Sequence, residues 1–391
     1  MIFVDKPYIS DFFRQTILKN SFPVVKTDMA RELGFYDKPY FLDQDQAIGQ
    51  ARSAENIAIY TTSENSIGWI AQHLSFIDLP EKIDLFKNKA KFRNLIKPMY
   101  PDFFFQELAL TEIDDLHIED IPLPFIIKPA VGFFSMAVYK VDHAGQWADI
   151  KESIKKEILS VQDLYPPEVM NTSSFIIEQC IKGDEFAIDA YYDAQGEPVI
   201  LNIYNHIFSS DSDVSDRVYL SSKEIIESNI DQFRDFLSRI GELSGVKNFP
   251  VHVEIRRDQD GLVQPIEINP MRFGGWCTTA DMTWYAYGFN SYEYYFSQQR
   301  PDWPALLKNK QDKIYAIIVL DNSTGVDGEK ITSFDYDALL SNFDTPVDLR
   351  KVDYTHYPVF GFLFTETKKD RFSEIQAILK SDLREYISYN E

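Results

Sequence analysis

Two glutamates and an asparagine, Glu254, Glu267 and Asn269, lie on two apolar runs joined by DQDG within VHVEIRRDQDGLVQPIEINP, from Val251 to Pro270. DQDG between alternating runs is a hairpin signal. Side chains alternate across a strand. Val251, Val253 and Ile255 therefore share one face and His252, Glu254 and Arg256 the other, while Ile266 and Ile268 oppose Glu267 and Asn269 on the return strand. A four-residue loop pairs 257 with 262, 254 with 265 and 252 with 267, and puts the polar residues of both strands on one face. Two carboxylates and an amide oxygen form a hard-oxygen set suited to Mg²⁺, with nucleotide phosphates completing the octahedron. A solvated sheet face would carry the same residues without chemistry. The sequel PMRFGG, residues 270–275, favours the site, because Arg272 and two glycines let a guanidinium and backbone approach an anion closely.

The elements needed to hold this hairpin are legible on both sides. Short apolar runs at 2–5 and 57–61, each before a helix-like stretch, predict a small α/β unit ending near residue 85. A basic helical segment, LFKNKAKFRNLIKPM, follows Asp84 and is stopped by Pro98 and Pro101. FIIKPAV at 125–131 and MAVYKVD at 136–142 read as strands, and 144–163 as a helix. SFIIEQCI, EFAIDAYYD and PVILNIYN are further strands, and KEIIESNIDQFRDFLSRIGELSG is a long amphipathic helix ended by Gly245. The run TWYAYGFNSYEYYF predicts a buried helix, its aromatic stripe read as core. After a linker-like SQQRPDWP at 297–304, three strand candidates and a helix over 370–387 predict a small α/β tail.

In this order the motifs resemble the ATP-grasp superfamily, over roughly residues 84–300. The resemblance implies an α/β (α+β) ATP-grasp fold with an N-terminal α/β pre-ATP-grasp domain at 1–85. It implies an ATP-grasp domain at 86–300, in lobes of about 86–172 and 173–300, and a small C-terminal α/β domain at 301–391. It carries Lys128 of FIIKPAV and Lys89 of NKAKFR over as phosphate-contacting lysines, with Lys87 and Lys91 as adjacent candidates for the latter. Glu178 and the backbone of Gln179 to Ile181 would face adenine, Glu185 the ribose hydroxyls, and Glu254, Glu267 and Asn269 the metal. The chain departs from the family twice. The loop after the phosphate lysine, VGFFSM, has only Gly132 and Ser135 where glycine and serine usually abound, and Met271 occupies the usual arginine position, so that Arg272 comes one residue late. A local bulge would restore its direction.

The implied reaction is ATP- and Mg²⁺-dependent ligation, with Mn²⁺ as an alternative ion. A small carboxylate of amino-acid or peptide type is activated as an acylphosphate for attack by an amine, with Lys128 and Arg272 as the catalytic cations. An ATP-dependent phosphotransferase and a nucleotide-binding regulatory protein are the alternatives. No GxSxG, P-loop, HExxH or GxGxxG motif competes. A net charge of -22 argues against nucleic acid as a partner, since such binders cluster Lys and Arg. No apolar run approaches bilayer length, and Cys180 and Cys277 lack a CxxC spacing, so a cytoplasmic protein with free thiols is expected, as a homodimer if it assembles. His252 is read as a hydrogen-bonding partner on the active face, and SSDSDVSDR (209–217) as an ordinary solvated acidic loop rather than a substrate-side flap, with pairing of a substrate carboxylate by Arg217 as the alternative.

Overall fold

The computed structural model describes residues 1–54, 56–132, 137–161, 171–210 and 215–390. Four short parallel strands open the chain, β1 (Ile2–Phe3), β2 (Val24–Val25), β3 (Phe41–Leu42) and β4 (Tyr60–Thr61), in the order β3-β2-β1-β4. Fully buried Ile2, Val24 and Ile59 hold this sheet in the main core. A second sheet holds β5 (Phe105–Ala109), β6 (Phe125–Val131), β7 (Tyr139–Val141) and β8 (Asn171–Gln179), ordered β5-β8-β6-β7 and covered by the helix Trp147–Val161. Its own core, around Phe125, Ile127, Trp147, Ile154 and Phe175, is separate from the main one.

The largest sheet has eight strands. It contains β9 (Asp184–Tyr192), β10 (Pro198–Ile207), β11 (Val218–Ser222), β12 (Phe249–Arg257), β13 (Val263–Pro270) and β14 (Lys313–Asp321). After β15 (Ile331–Phe334), the strands β16 (Pro346–Lys351) and β17 (Val359–Lys368) join that sheet, whose order is β13-β12-β9-β10-β11-β14-β17-β16. The tail strands thus extend the sheet that carries the acidic hairpin. Helix Lys223–Ser244 packs across it, capped by Ser222 at its start and by left-handed Gly245 (φ 66°) at its end. A long amphipathic pattern closed by glycine is the reason it runs this far.

Three elements differ from expectation, each for a local reason. The basic segment is two helices, Leu79–Lys87 and Lys89–Ile96, broken at extended Asn88, whose side chain accepts from the Lys91 amide at 3.0 Å and caps the second. Residues two positions apart on one helix point about 160° away from each other; the break lets Lys87 and Lys89 both reach the Gly132 carbonyl. The aromatic run is likewise two helices, Thr278–Tyr287 and Ser291–Phe296, parted by Gly288 (φ 75°) and capped anew by Asn290. The final helix stops at Lys380, because left-handed Leu383 (φ 63°) turns the chain so that β18 (Ile387–Tyr389) pairs with β15. Among the described residues no helix is long and apolar enough to cross a membrane.

Candidate active site

The hairpin β12–β13 forms with a register other than the one its turn alone predicts. Arg257 pairs with Val263 and Ile255 with Pro265; a bulge then shifts the ladder, so that Glu254 pairs with Glu267 and His252 with Asn269. Without the extra residue, Ile266, the ladder would place Glu267 opposite Val253, on the apolar face. The expected pairs 254–265 and 252–267 are therefore corrected by two residues. The bulge makes the two carboxylates direct cross-strand neighbours, a closer convergence than the unbulged hairpin offered.

Arg93, from helix Lys89–Ile96, binds the bulge. Its Nη1 donates to the Pro265 carbonyl at 2.7 Å and its Nη2 to that of Ile266 at 3.4 Å, while its Nε donates to Glu178 Oε2 at 2.7 Å. Glu178 Oε1 in turn meets Lys128 Nζ at 2.5 Å. Arg93, Glu178 and Lys128 are all buried, and Glu178 lies on β8 opposite Ile126 on β6. Burial by itself would raise the Glu178 carboxyl; Arg93 and Lys128 outweigh it and hold the group down at about 2. Burial lowers Lys128, with Glu178 opposing. The predicted adenine-facing glutamate is thus the buried anion that joins the strand lysine to the bulge of the acidic hairpin.

Glu254 and Glu267 keep about a quarter of their side chains accessible, 28% and 26%. Their environments differ. Burial also acts to raise Glu267, but Lys89, whose Nζ is 3.3 Å away, then Lys128 and the Asn269 amide hold it at about 2. Glu254 is pushed well up, first by burial and then by Glu267, Asp216 and Glu185. Asn269 Nδ2 donates to Glu267 Oε1 at 2.9 Å, which engages the amide nitrogen and keeps the amide oxygen for another partner. Two adjoining carboxylates, one of them raised by its neighbours' charge, fit a divalent cation. Among the described residues no three or more His, Cys, Asp or Glu side chains form a ligand cluster. Two carboxylates and an amide oxygen leave the rest of such an ion's shell to other oxygens.

The remaining expected residues are spread around this pair. Lys89 Nζ also lies 3.4 Å from the Gly132 carbonyl, as does that of Lys87; Lys91 pairs instead with exposed Asp84. Of the glycine-poor loop, Phe133 to Ser135 lie outside the described residues. Gln179 is held at the strand edge, its amide donating to the Phe104 carbonyl at 3.1 Å and its side-chain oxygen accepting from the Phe104 amide at 2.9 Å. The Ile181 carbonyl accepts from Arg256 Nη1 at 2.7 Å. Glu185 is shared between Arg256 Nε at 2.9 Å and His206 Nδ1 at 2.8 Å, and the His206 ring stacks on Tyr219 at 4.2 Å. His252 Nδ1 is bonded to Asp189 Oδ1 at 2.7 Å, and its Nε2 faces Glu254 at 3.8 Å. Asp189, fully buried, also accepts from the Gly274 amide at 3.0 Å.

Arg272 does turn toward Glu254, which feels its charge. The extra residue before it, Met271, is left-handed (φ 69°) and buried, and its carbonyl accepts from the Thr61 amide at 2.8 Å. Arg272 Nη2 then reaches Glu64 Oε1 at 3.3 Å. Arg217 is built into the framework. It is buried and donates to Asp321 Oδ1 at 2.8 Å, to Ser323 Oγ at 2.6 Å and to the carbonyls of Ile378 and Ser381. Arg217→Ala should cost at least about 2 kcal/mol of folding free energy, since it strips several charge-assisted bonds from buried acceptors. Urea unfolding would measure that loss, with nucleotide affinity unchanged; altered substrate affinity at native stability would return Arg217 to the site.

The sequence reading missed Glu64, Arg93 and Asp189. Asp189 carries a signal, an aspartate in the middle of the otherwise apolar EFAIDAYY. Arg93 and Glu64 have none, because their partners lie tens to hundreds of residues away.

Comparison with known proteins bears on the fold that carries these residues. A family model described as an ATP-grasp domain matches residues 121–280. No curated protein matches in sequence. Among solved structures, the L-amino acid ligase from Bacillus licheniformis superposes with a TM-score of 0.68 at 17% identity, covering 100% of this chain and 98% of that one. The N5-carboxyaminoimidazole synthase from Aspergillus clavatus, in complex with ADP and 5-aminoimidazole ribonucleotide, gives 0.64 at 11% identity, with 98% of each chain covered. The biotin carboxylase from Campylobacter jejuni gives 0.63 at 12%, covering 100% and 91%. Residues 121–280 thus match an ATP-grasp domain by sequence, and the chain over its whole length shares the fold of these solved structures.

Proposed function

We propose that the protein is an ATP- and Mg²⁺-dependent ligase that activates a small carboxylate as an acylphosphate and joins it to an amine. The observation that carries this reading is the direct pairing of Glu254 with Glu267, with Asn269 beside them and Lys89, Lys128 and Arg272 around the pair. Opposite charges in this arrangement neutralise a polyphosphate and the charge that develops on its transfer, without a protein nucleophile.

In this reading Glu254, Glu267 and the Asn269 oxygen would hold Mg²⁺, which would supply Lewis-acid charge withdrawal for phosphoryl transfer. Lys128, fixed by Glu178, and Lys89, fixed by Glu267, meet the remaining phosphate oxygens. A substrate carboxylate oxygen attacks the γ-phosphorus, the bond to the bridging oxygen breaks and ADP departs. The amine nitrogen then attacks the acyl carbon, the bond to the phosphate oxygen breaks, phosphate leaves and the amine gives up its proton. Arg272 faces the anionic acylphosphate as these bonds exchange. Gln179 to Ile181 and Glu185 would take the adenosine side. The first 85 residues and the tail from 301 would shape the substrate pockets.

The assay is ADP and phosphate release from MgATP against amino acids and small carboxylates, alone and in pairs. Release that requires a pair supports the ligase. Release with a single acceptor and a phosphorylated product would identify a phosphotransferase, and tight ATP binding with no release under any pairing would leave a regulatory protein.

A further inference from the structure

We infer that Glu64, from the loop that follows β4, is a positioning residue that the N-terminal sheet supplies to the phosphate site, where it aims Arg272 while pairing with buried Lys87. The inference rests on the ligase reading above for what Arg272 does, and on geometry for what Glu64 does.

The placement follows from the sheet. In the order β3-β2-β1-β4 the chain reverses direction of growth between β1 and β4, and the carboxyl ends of strands at such a switch open onto a crevice. The run Thr61, Thr62, Ser63, Glu64 leaves β4 at that crevice, and all four side chains are buried. Ser63 Oγ accepts from the Asn65 amide at 3.3 Å and starts a short 3₁₀ turn, Glu64–Ser66, which projects Glu64 out of the N-terminal sheet. The carboxylate then meets residues from two other parts of the chain. Its Oε2 pairs with Lys87, at the end of helix Leu79–Lys87, and its Oε1 with Arg272, after β13.

Each of its two oxygens faces a different cation, so one carboxylate holds both in place. Among the described residues it is the only carboxylate that pairs with Arg272, and the only one that pairs with Lys87. Arg272 is thus tied twice to one element. Thr61 holds the Met271 carbonyl just before it, through its amide at 2.8 Å and its hydroxyl at 3.4 Å, and Glu64, three residues further on, holds the guanidinium. The left-handed Met271 and this double tie together compensate for the extra residue that separates Arg272 from Asn269. The site is electrostatically continuous, since the charge of Glu267 is felt at Glu64 and at Lys87.

The test is a mutant cycle read on ADP release under the substrate pair that supports turnover. Glu64→Gln should lower kcat by about 30–100-fold, the scale on which a misaligned catalytic group is felt, with KM for ATP moved less than about threefold. Glu64→Asp, which keeps the charge, should recover part of it. Made in an Arg272→Ala background, Glu64→Gln should cost less than about threefold more, because a residue that acts through another adds nothing once that partner is gone. Losses that multiply would overturn the inference.

Glu64→Gln leaves Lys87 buried without its partner, and folding can suffer. The pair Glu64→Gln with Lys87→Met removes both charges. In that folded background Arg272→Ala should cost much less than in the native protein, and an equal loss would overturn the inference. A crystal structure of the double variant gives a readout free of turnover. A guanidinium displaced by about 1 Å or more supports the role, and one left in place refutes it. If the native protein releases no ADP with any pair, the ligase reading falls, while the crystal structure still decides the role of Glu64.

Discussion

Glu267→Gln should abolish Mg²⁺-dependent ADP release, by at least about 10³-fold or roughly 4 kcal/mol of transition-state stabilisation, while the protein folds normally. The size follows from position. Glu267 is paired across the hairpin with Glu254, is bonded to Asn269, and is the group Lys89 approaches at 3.3 Å. Replacing it by the amide removes one of two anions from the proposed metal set and the counter-charge that orients Lys89. The cost to the fold should be small, because the side chain is about a quarter exposed and the amide keeps the shape. The measurement is ADP release against Mg²⁺ concentration, with thermal unfolding alongside. Native turnover with native Mg²⁺ dependence in this variant would sink the metal assignment.

Lys128→Met should weaken MgATP binding by about 30–100-fold, or roughly 2–3 kcal/mol, the scale of a lost charge-assisted bond to phosphate. Lys128 is buried between Glu178, at 2.5 Å, and Glu267, whose ionisation it favours. Its removal is less damaging to the fold than the removal of a lone partner would be, because Arg93 still pairs Glu178 from the other side at 2.7 Å. Methionine fills the same volume with no charge. Isothermal titration with MgATP measures the loss, and unfolding in urea measures the cost. Unchanged affinity with a lowered unfolding midpoint would mean that Lys128 only neutralises Glu178.

Local pattern carried the sequence reading as far as local pattern decides structure. Alternation and the DQDG turn placed Glu254, Glu267 and Asn269 on one face, and the structure brings them together. The register failed by one residue at the turn, where Arg257 pairs with Val263 instead of Leu262, and by one more at the bulge, whose Pro265 and Ile266 carbonyls Arg93 binds from a helix 172 and 173 residues earlier, which no window on the hairpin contains. The break at Asn88 was open to inspection, since asparagine before a basic run is a helix cap, yet the apolar spacing masked it. Glu64 sits in TTSENS, a stretch with the composition of any polar loop. Only the folded chain, in which β4 lies against the segment after β13, gives it partners. Glu178 and Glu185 were singled out as residues, but the sequence could not say that each is held by two protein partners.

The eight-stranded sheet bears on how this protein can be taken apart. A fragment ending near residue 300 would contain the matched ATP-grasp domain and so invites use as a minimal unit. It would also lose β14, β17 and β16, and bare the edge of β11, where Val218 and Leu220 are buried against the tail. An uncovered strand edge with apolar neighbours is a template for pairing with other chains. Trimming of this kind yields an aggregating protein, whereas chimaeras that keep residues 184–368 together preserve the sheet and can exchange the loops around it.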